Sequence, residues 1–186
     1  MDGKMFSDKI YINNSGRFEW DFLTLEPFWD KDHDERELKR EYLRAYIEAA
    51  KNIQSSHYRR THPNNIPGMF FIKDQTCIPF LFLCKHTLEL AMKYKLEDLG
   101  AGYPKKHDLK IIWEQIKEKT SIKSDRQIEE LVENLDKLDQ NYALRYAENK
   151  AGKENNNGVI AIHTPRIIEV TERLFNLLIE GEEHNK

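Results

Sequence analysis

The residues best equipped for chemistry lie in a few short stretches. Glu89 and Lys93 stand four apart in LELAMKYKLED, the spacing at which two side chains meet on one helical face. They either form an ordinary intrahelical ion pair, or Lys93 and His86 donate to a phosphate while Glu89 orients them. Arg145, followed by Tyr146, suits the same site, because a guanidinium stays charged and can bind two phosphate oxygens at once. It can equally pair with Glu89 as a buried structural ion pair. His107 precedes Asp108, a side chain fit to cap a helix, so His107 either fixes that turn or touches a ligand. HYRRTH at 57–62 is the densest basic and aromatic cluster. There Tyr58 could stack a base while Arg59 and Arg60, with His62 beside them, hold phosphates. The bland alternative is a solvated loop or an inter-subunit salt bridge.

Other chemistries are poorly provided for. There is no Gly-rich phosphate loop, no GxSxG and no coherent Ser/His/Asp order. His57 and His62 lack the further ligands of a zinc site, so no metal and no cofactor is expected. Cys84 and His86 project to different sides of a helix, which prevents the thiolate pair that a cysteine nucleophile needs.

The element that must position these groups is Ile78–Leu99. Leu81, Cys84, Leu88, Ala91, Met92 and Leu99 fall on one side at helical spacing, widened by Leu83, Leu90 and Tyr94. A helix with so broad an apolar arc must be central, enclosed by the first, fourth and last helices. What remains is a narrow polar stripe of Lys85, His86, Glu89, Lys93 and Glu97, with Phe82 and Leu96 among them. Pro79 suits its start and Gly100-Ala101-Gly102 its stop.

Around it the sequence predicts a first helix over Asp34–Ser56 with Leu38, Tyr42, Ala45, Tyr46, Ala49 and Ile53 inward. A short helix over His107–Lys119 packs Leu109, Ile112, Trp113 and Ile116. A fourth opens on the capping box Ser124–Gln127 and turns Ile128, Leu131, Val132, Leu135 and Leu138 inward. A last one opens on Thr164-Pro165 and buries Ile168, Leu174, Phe175 and Leu178. Between them HYRRTHPNNIPGMFFIKDQT and NYALRYAENKAGKENNNG read as loops. Residues 1–33 carry seven large aromatics and an Asn-Ser-Gly turn, which predicts an irregular arm or small hairpin packing on the bundle. The expected fold is an all-α antiparallel bundle of four to five helices over residues 34–182.

Composition narrows the class. With 39% hydrophobic and 33% charged residues in 186, the chain is charged but globular, most simply one domain. A net charge of −3 gives no general attraction to nucleic acid or membrane. Residues 57–119, however, hold 11 Lys/Arg against 7 Asp/Glu, so a mildly basic centre lies between acidic flanks. The two cysteines, Cys77 and Cys84, read as reduced thiols. No apolar run approaches the ~18 residues of a membrane span and no signal core opens the chain, so a soluble, cytoplasmic protein is expected.

LELAMKYKLEDLG, then KKHDLKIIW, then DQNYALRYAENKAG resembles the HEPN superfamily of bacterial helical-bundle proteins. That pattern has Glu and Lys four apart on a central helix, matched here by Glu89 and Lys93. A His-Asp/Ser-Leu follows after a short loop, matched by His107-Asp108-Leu109. In one uncharacterised branch a late Phe-Arg-Tyr-Pro precedes a glycine turn, matched by Leu144-Arg145-Tyr146-Ala147 with Ala in place of Pro. The resemblance runs over roughly 78–152 and implies one of two activities. Many members are ribonucleases of toxin–antitoxin, abortive-infection or CRISPR systems, and many others are non-catalytic nucleotide- or RNA-binding modules. The nucleases carry an Arg followed, after four to six residues, by a His, and no Arg of this chain is so followed.

The expectation is therefore a non-catalytic HEPN-like module binding RNA, a nucleotide or a cognate protein partner. The resemblance sets it in bacterial defence or toxin–antitoxin regulation, as a homodimer. A divergent, metal-independent ribonuclease and a purely structural dimerisation or adaptor domain are the alternatives.

Overall fold

The structure, a computed structural model, describes residues 34–61 (57–61 through their backbone), 76–104, 107–140, 143–144 and 162–180. Five α-helices and no strand occur among them: α1 Glu35–Thr61, α2 Cys77–Asp98, α3 Leu109–Lys119, α4 Arg126–Leu138 and α5 Thr164–Ile179. The chain divides into two units, Met1–Leu38 and Lys39–Lys186. Of the first, only the opening of α1 is described, where Asp34 Oδ1 accepts the Arg36 N–H at 2.9 Å. The expected arm or hairpin over residues 1–33 lies outside the described residues, as does His62.

The second unit is an all-α bundle. Long side chains pair α1 with α2 in opposite directions: Lys39 with Glu97 and Arg40 with Tyr94 near one end, Tyr46 with His86 further along. Arg44 with Glu180 and Lys51 with Glu172 do the same for α1 and α5. In α3 and α4, Leu109 meets Asp136 and Trp113 meets Glu129, an antiparallel helical hairpin. The core gathers Phe80, Leu88 and Met92 of α2 with Trp113 of α3, Ile128 and Leu135 of α4 and Leu174 and Phe175 of α5. Here α2 packs most widely on α5 and α3, and only slightly on α4. The short third helix, not the fourth, is thus a principal wall. Its four apolar residues leave no gap along one face, so it can approach α2 closely.

Several local expectations shift by a residue or a turn. The inward face of α1 is Leu43, Ile47 and Ala50, whereas Tyr42 is exposed and its hydroxyl lies 2.9 Å from that of Tyr46. Both stripes satisfy helical spacing: Tyr42 faces out, Tyr46 is half-buried against His86 of α2, and Ile53 of the expected stripe does pack against the core. α1 also runs to Thr61, so HYRRT is helical rather than loop. On α2, Leu99 is exposed and Leu96 is in the core, along with Lys85 and Glu89. α4 is capped by Asp125, whose carboxylate accepts from Gln127 and Ile128, not by Ser124. α5 is capped by His163, whose Nδ1 accepts from Arg166 at 3.2 Å.

The turn that closes α2 sets the course of the chain toward α3. Gly100 has φ +66°, a left-handed conformation that costs glycine little. It donates to the Glu97 carbonyl at 2.9 Å, while Ala101 reaches back to Leu96 at 2.8 Å. This pair of bonds ends the helix and turns the chain toward Tyr103 and His107.

Candidate functional site

Lys85, Glu89 and Lys93 follow one another at four-residue steps along α2. Only a narrow stripe of that helix is polar, so all three point the same way. Glu89 Oε1 accepts Lys93 Nζ at 2.6 Å and meets His107 Nδ1 at 2.7 Å. The carboxylate is sealed while its partners keep more of their surface: Glu89 keeps 3% of its side-chain surface, Lys93 15% and His107 46%. A carboxylate acceptor at Nδ1 makes that nitrogen the donor in this bond. Tyr103 stands at the rim, with Lys93 Nζ 5.6 Å from its ring centroid.

Burial opposes the ionisation of Glu89 and is the largest single influence on it. The hydrogen bonds from Lys93 and His107, with their charges, together outweigh that and hold its carboxyl below the usual glutamate range. A carboxylate whose folded pKa is depressed stabilises the fold fully above its unfolded value, and this is lost as pH falls through the folded value. The unfolding free energy of wild type minus that of Glu89→Gln, from urea melts, is therefore expected to be constant near neutrality. It should shrink only below the ordinary glutamate value of about 4.3. A difference that is flat down to acid unfolding would show that the charge of Glu89 is not what these partners recognise.

One turn before Glu89, Lys85 Nζ lies 2.6 Å from Asp139 Oδ2 and donates to the His107 carbonyl at 3.0 Å. Asp139 Oδ1 in turn accepts the Leu144 N–H at 3.1 Å. The residues after His107 are tied as well. Asp108 caps α3 by accepting the Ile111 N–H at 3.0 Å, and Asp136 accepts the Leu109 N–H at 2.8 Å. Burial is the main reason that the Asp136 carboxyl sits above the usual aspartate range; the Leu109 bond opposes this and nearby Asp108 adds to it.

Of the residues that the sequence singles out, Glu89, Lys93 and His107 come together. His86 instead stacks on Phe82, with centroids 5.4 Å apart, and meets Tyr46 edge-on at 5.1 Å, against α1. Arg145, Tyr146 and His62 lie outside the described residues, as do the side chains of Tyr58, Arg59 and Arg60. Cys84 is in the core, where burial pushes its thiol up to about 12. Sequence reasoning missed Asp139 and Asp136. A signal was available: both sit at the C-terminal end of α4, where the helix dipole disfavours a negative charge. Acidic residues there need a compensating partner, and Lys85 and the Leu109 and Leu144 amides supply it.

Chemically, the arrangement offers a lysine and an imidazole held over a buried carboxylate, with an aromatic ring beside them. Among the described residues no three His, Cys, Asp or Glu side chains converge to hold a metal, and no helix is long and apolar enough to cross a membrane.

Nothing among curated proteins or solved structures matches the chain significantly. The family model for the HEPN domain matches residues 79–180, from the first turn of α2 to the residue after α5. It thus takes in the last helix as well as the motif-bearing stretch, and covers more than half of the 186 residues. On that match, and on the all-α bundle it requires, the chain belongs to the HEPN family.

Proposed function

We propose that this chain is a HEPN module that binds a phosphate-bearing ligand, RNA or a nucleotide, at the Glu89–Lys93–His107 cluster without cleaving it. The observation that carries the reading is the sealed Glu89 carboxylate gathering Lys93 and His107 from two chain segments. Glu89 is a positioning residue; Lys93 and His107 are the groups that would meet a phosphate oxygen. The exposed ring of Tyr103 is suited to stack a base beside them. Arg145 follows Leu144 in sequence and is proposed as the second cation of the site, with Tyr146 next to it. A module of this kind without the nuclease's Arg and His spacing fits a regulatory or sensing part in bacterial defence or a toxin–antitoxin pair, acting as a homodimer.

The test is a titration of a fluorescein-labelled single-stranded RNA, repeated over a series of salt concentrations. Affinity is expected to fall linearly in the logarithm of salt. Lys93→Met is expected to weaken binding about tenfold and to flatten that slope by about one unit, as for loss of one phosphate contact. The RNA should remain intact on a gel. Cleavage would replace this reading with the ribonuclease one. Absence of RNA and nucleotide binding by a dimer in sedimentation would replace it with a structural adaptor.

A further inference from the structure

We infer that the strip of α2 around Lys93 is a groove for a single strand of at least two nucleotides, with Tyr42 of α1 as a second base-stacking residue across from Tyr103. The inference rests on the reading of Glu89, Lys93 and His107 as a phosphate site. It deepens that reading by naming the ligand as a strand rather than a mononucleotide.

The groove follows from the helical repeat. His86 and Lys93 stand seven residues apart on α2 and are both only partly buried. At about 100° per residue they lie almost in line. Around the helix, the residues that meet α1 (His86 and Tyr94) fall to one side of Lys93. Those that meet the connection before α3 (Lys85 and Glu89) fall to the other. Lys93 therefore lies on the floor between two walls, one of them α1 and the other the connection that carries Tyr103 and His107. The level of Tyr42 along that floor is set by the antiparallel register of α1 and α2. Tyr46 stands beside His86 and Arg40 beside Tyr94, which brings Tyr42 level with residues 90–92, within about one turn of Lys93.

Tyr42 is held in place and yet open to water. Its hydroxyl lies 2.9 Å from that of Tyr46, and its ring meets the Tyr46 ring edge-on at 5.1 Å. It nevertheless keeps 43% of its surface, and Tyr103 keeps 42%. A ring fixed before binding gives up little side-chain freedom when a base stacks on it, and stacking accepts any base because every base has a π-face. A mononucleotide carries one base and can use one of these rings. A strand can place successive bases on both, with the phosphate between them on Lys93.

The experiment uses the full chain and two probes: a fluorescein-labelled hexanucleotide RNA followed by anisotropy, and AMP followed by NMR titration. Tyr42→Ala is expected to weaken the hexanucleotide by about fivefold or more, the low end for loss of one stacked base, and to leave AMP affinity unchanged. Tyr103→Ala should weaken both probes. Tyr42→Phe, which keeps the ring, should retain most of the hexanucleotide affinity. In the wild type, the Tyr42 ring-proton signals should move upfield with the hexanucleotide and stay in place with AMP. That measurement decides the matter without a variant if Tyr42→Ala does not fold. Unmoved Tyr42 signals, or a folded Tyr42→Ala with wild-type hexanucleotide affinity, overturn the inference; if Lys93→Met still weakens RNA binding, the phosphate reading survives alone. Equal loss of both probes in Tyr42→Ala also overturns it, because Tyr42 would then support the site rather than stack a base. If Tyr42→Ala weakens the hexanucleotide while Lys93→Met does not, the stacking role stands and the phosphate reading falls.

Discussion

Lys85→Met alone is expected to lower the unfolding free energy by about 3–5 kcal/mol, the usual cost of removing one partner of a buried ion pair. The magnitude follows from what is left behind. Asp139 is all but sealed from solvent, so its carboxylate cannot replace the lost lysine with water. The His107 carbonyl loses its lysine donor at the same time. Urea melts followed by circular dichroism measure the change. A loss under about 1 kcal/mol would match an exposed pair and would mean that water reaches Asp139. The contrast with Lys85→Met/Asp139→Asn is part of the expectation: with both charges gone, most of the penalty should disappear, since it comes from a buried charge deprived of its lysine rather than from a lost attraction.

Leu88→Ala is the second large effect, expected to cost about 2–5 kcal/mol, the transfer free energy of the lost carbons plus the cavity they leave. Leu88 is fully buried near the middle of α2, and its helix is packed closely by α5 and α3. A helix held between others cannot collapse into the space, which places the expectation in the upper part of that range. A denaturant midpoint that barely moves would mean that Leu88 does not face a packed core. Because Leu88 points about 100° around α2 from Glu89 and belongs to the apolar core, RNA affinity of the folded variant should be nearly unchanged. This separates damage to the core from damage to the site.

The helices are legible in the sequence because each carries its own local signal. In α3 and α5 the apolar spacing, a capping carboxylate and a proline near the first turn all act within a few residues. The buried faces of both agree with that spacing, as do four of the five inward residues of α4, Leu138 being only partly buried. The first helix is less legible. Its tyrosine stripe and its Leu43–Ile47–Ala50 stripe have equal periodicity, and only packing decides which is enclosed. The same is true of Leu96 and Leu99, where the close of α2 at Gly100 leaves Leu99 past the end of the core.

The sequence by itself determined which groups share a face of α2, because a helix imposes its repeat on every side chain whatever surrounds it. Glu89 and Lys93 had to be neighbours, and Lys85 had to lie in line with them. It also determined, through residues matched in order along the chain, that this is a HEPN bundle. The tertiary structure alone decided that the stripe faces inward against the connection before α3 rather than out to water. That depends on where α3 and α4 pack, and no periodicity encodes it. It decided too that His107 joins Glu89 while His86 goes to Tyr46 and Phe82, although the spacing along α2 puts His86 on the same polar stripe. The partner of Lys85 lies 54 residues away at Asp139. A buried charge can find such a partner only once the fold has brought the two ends of the contact together, and the high cost of leaving it unpaired is what then holds them there.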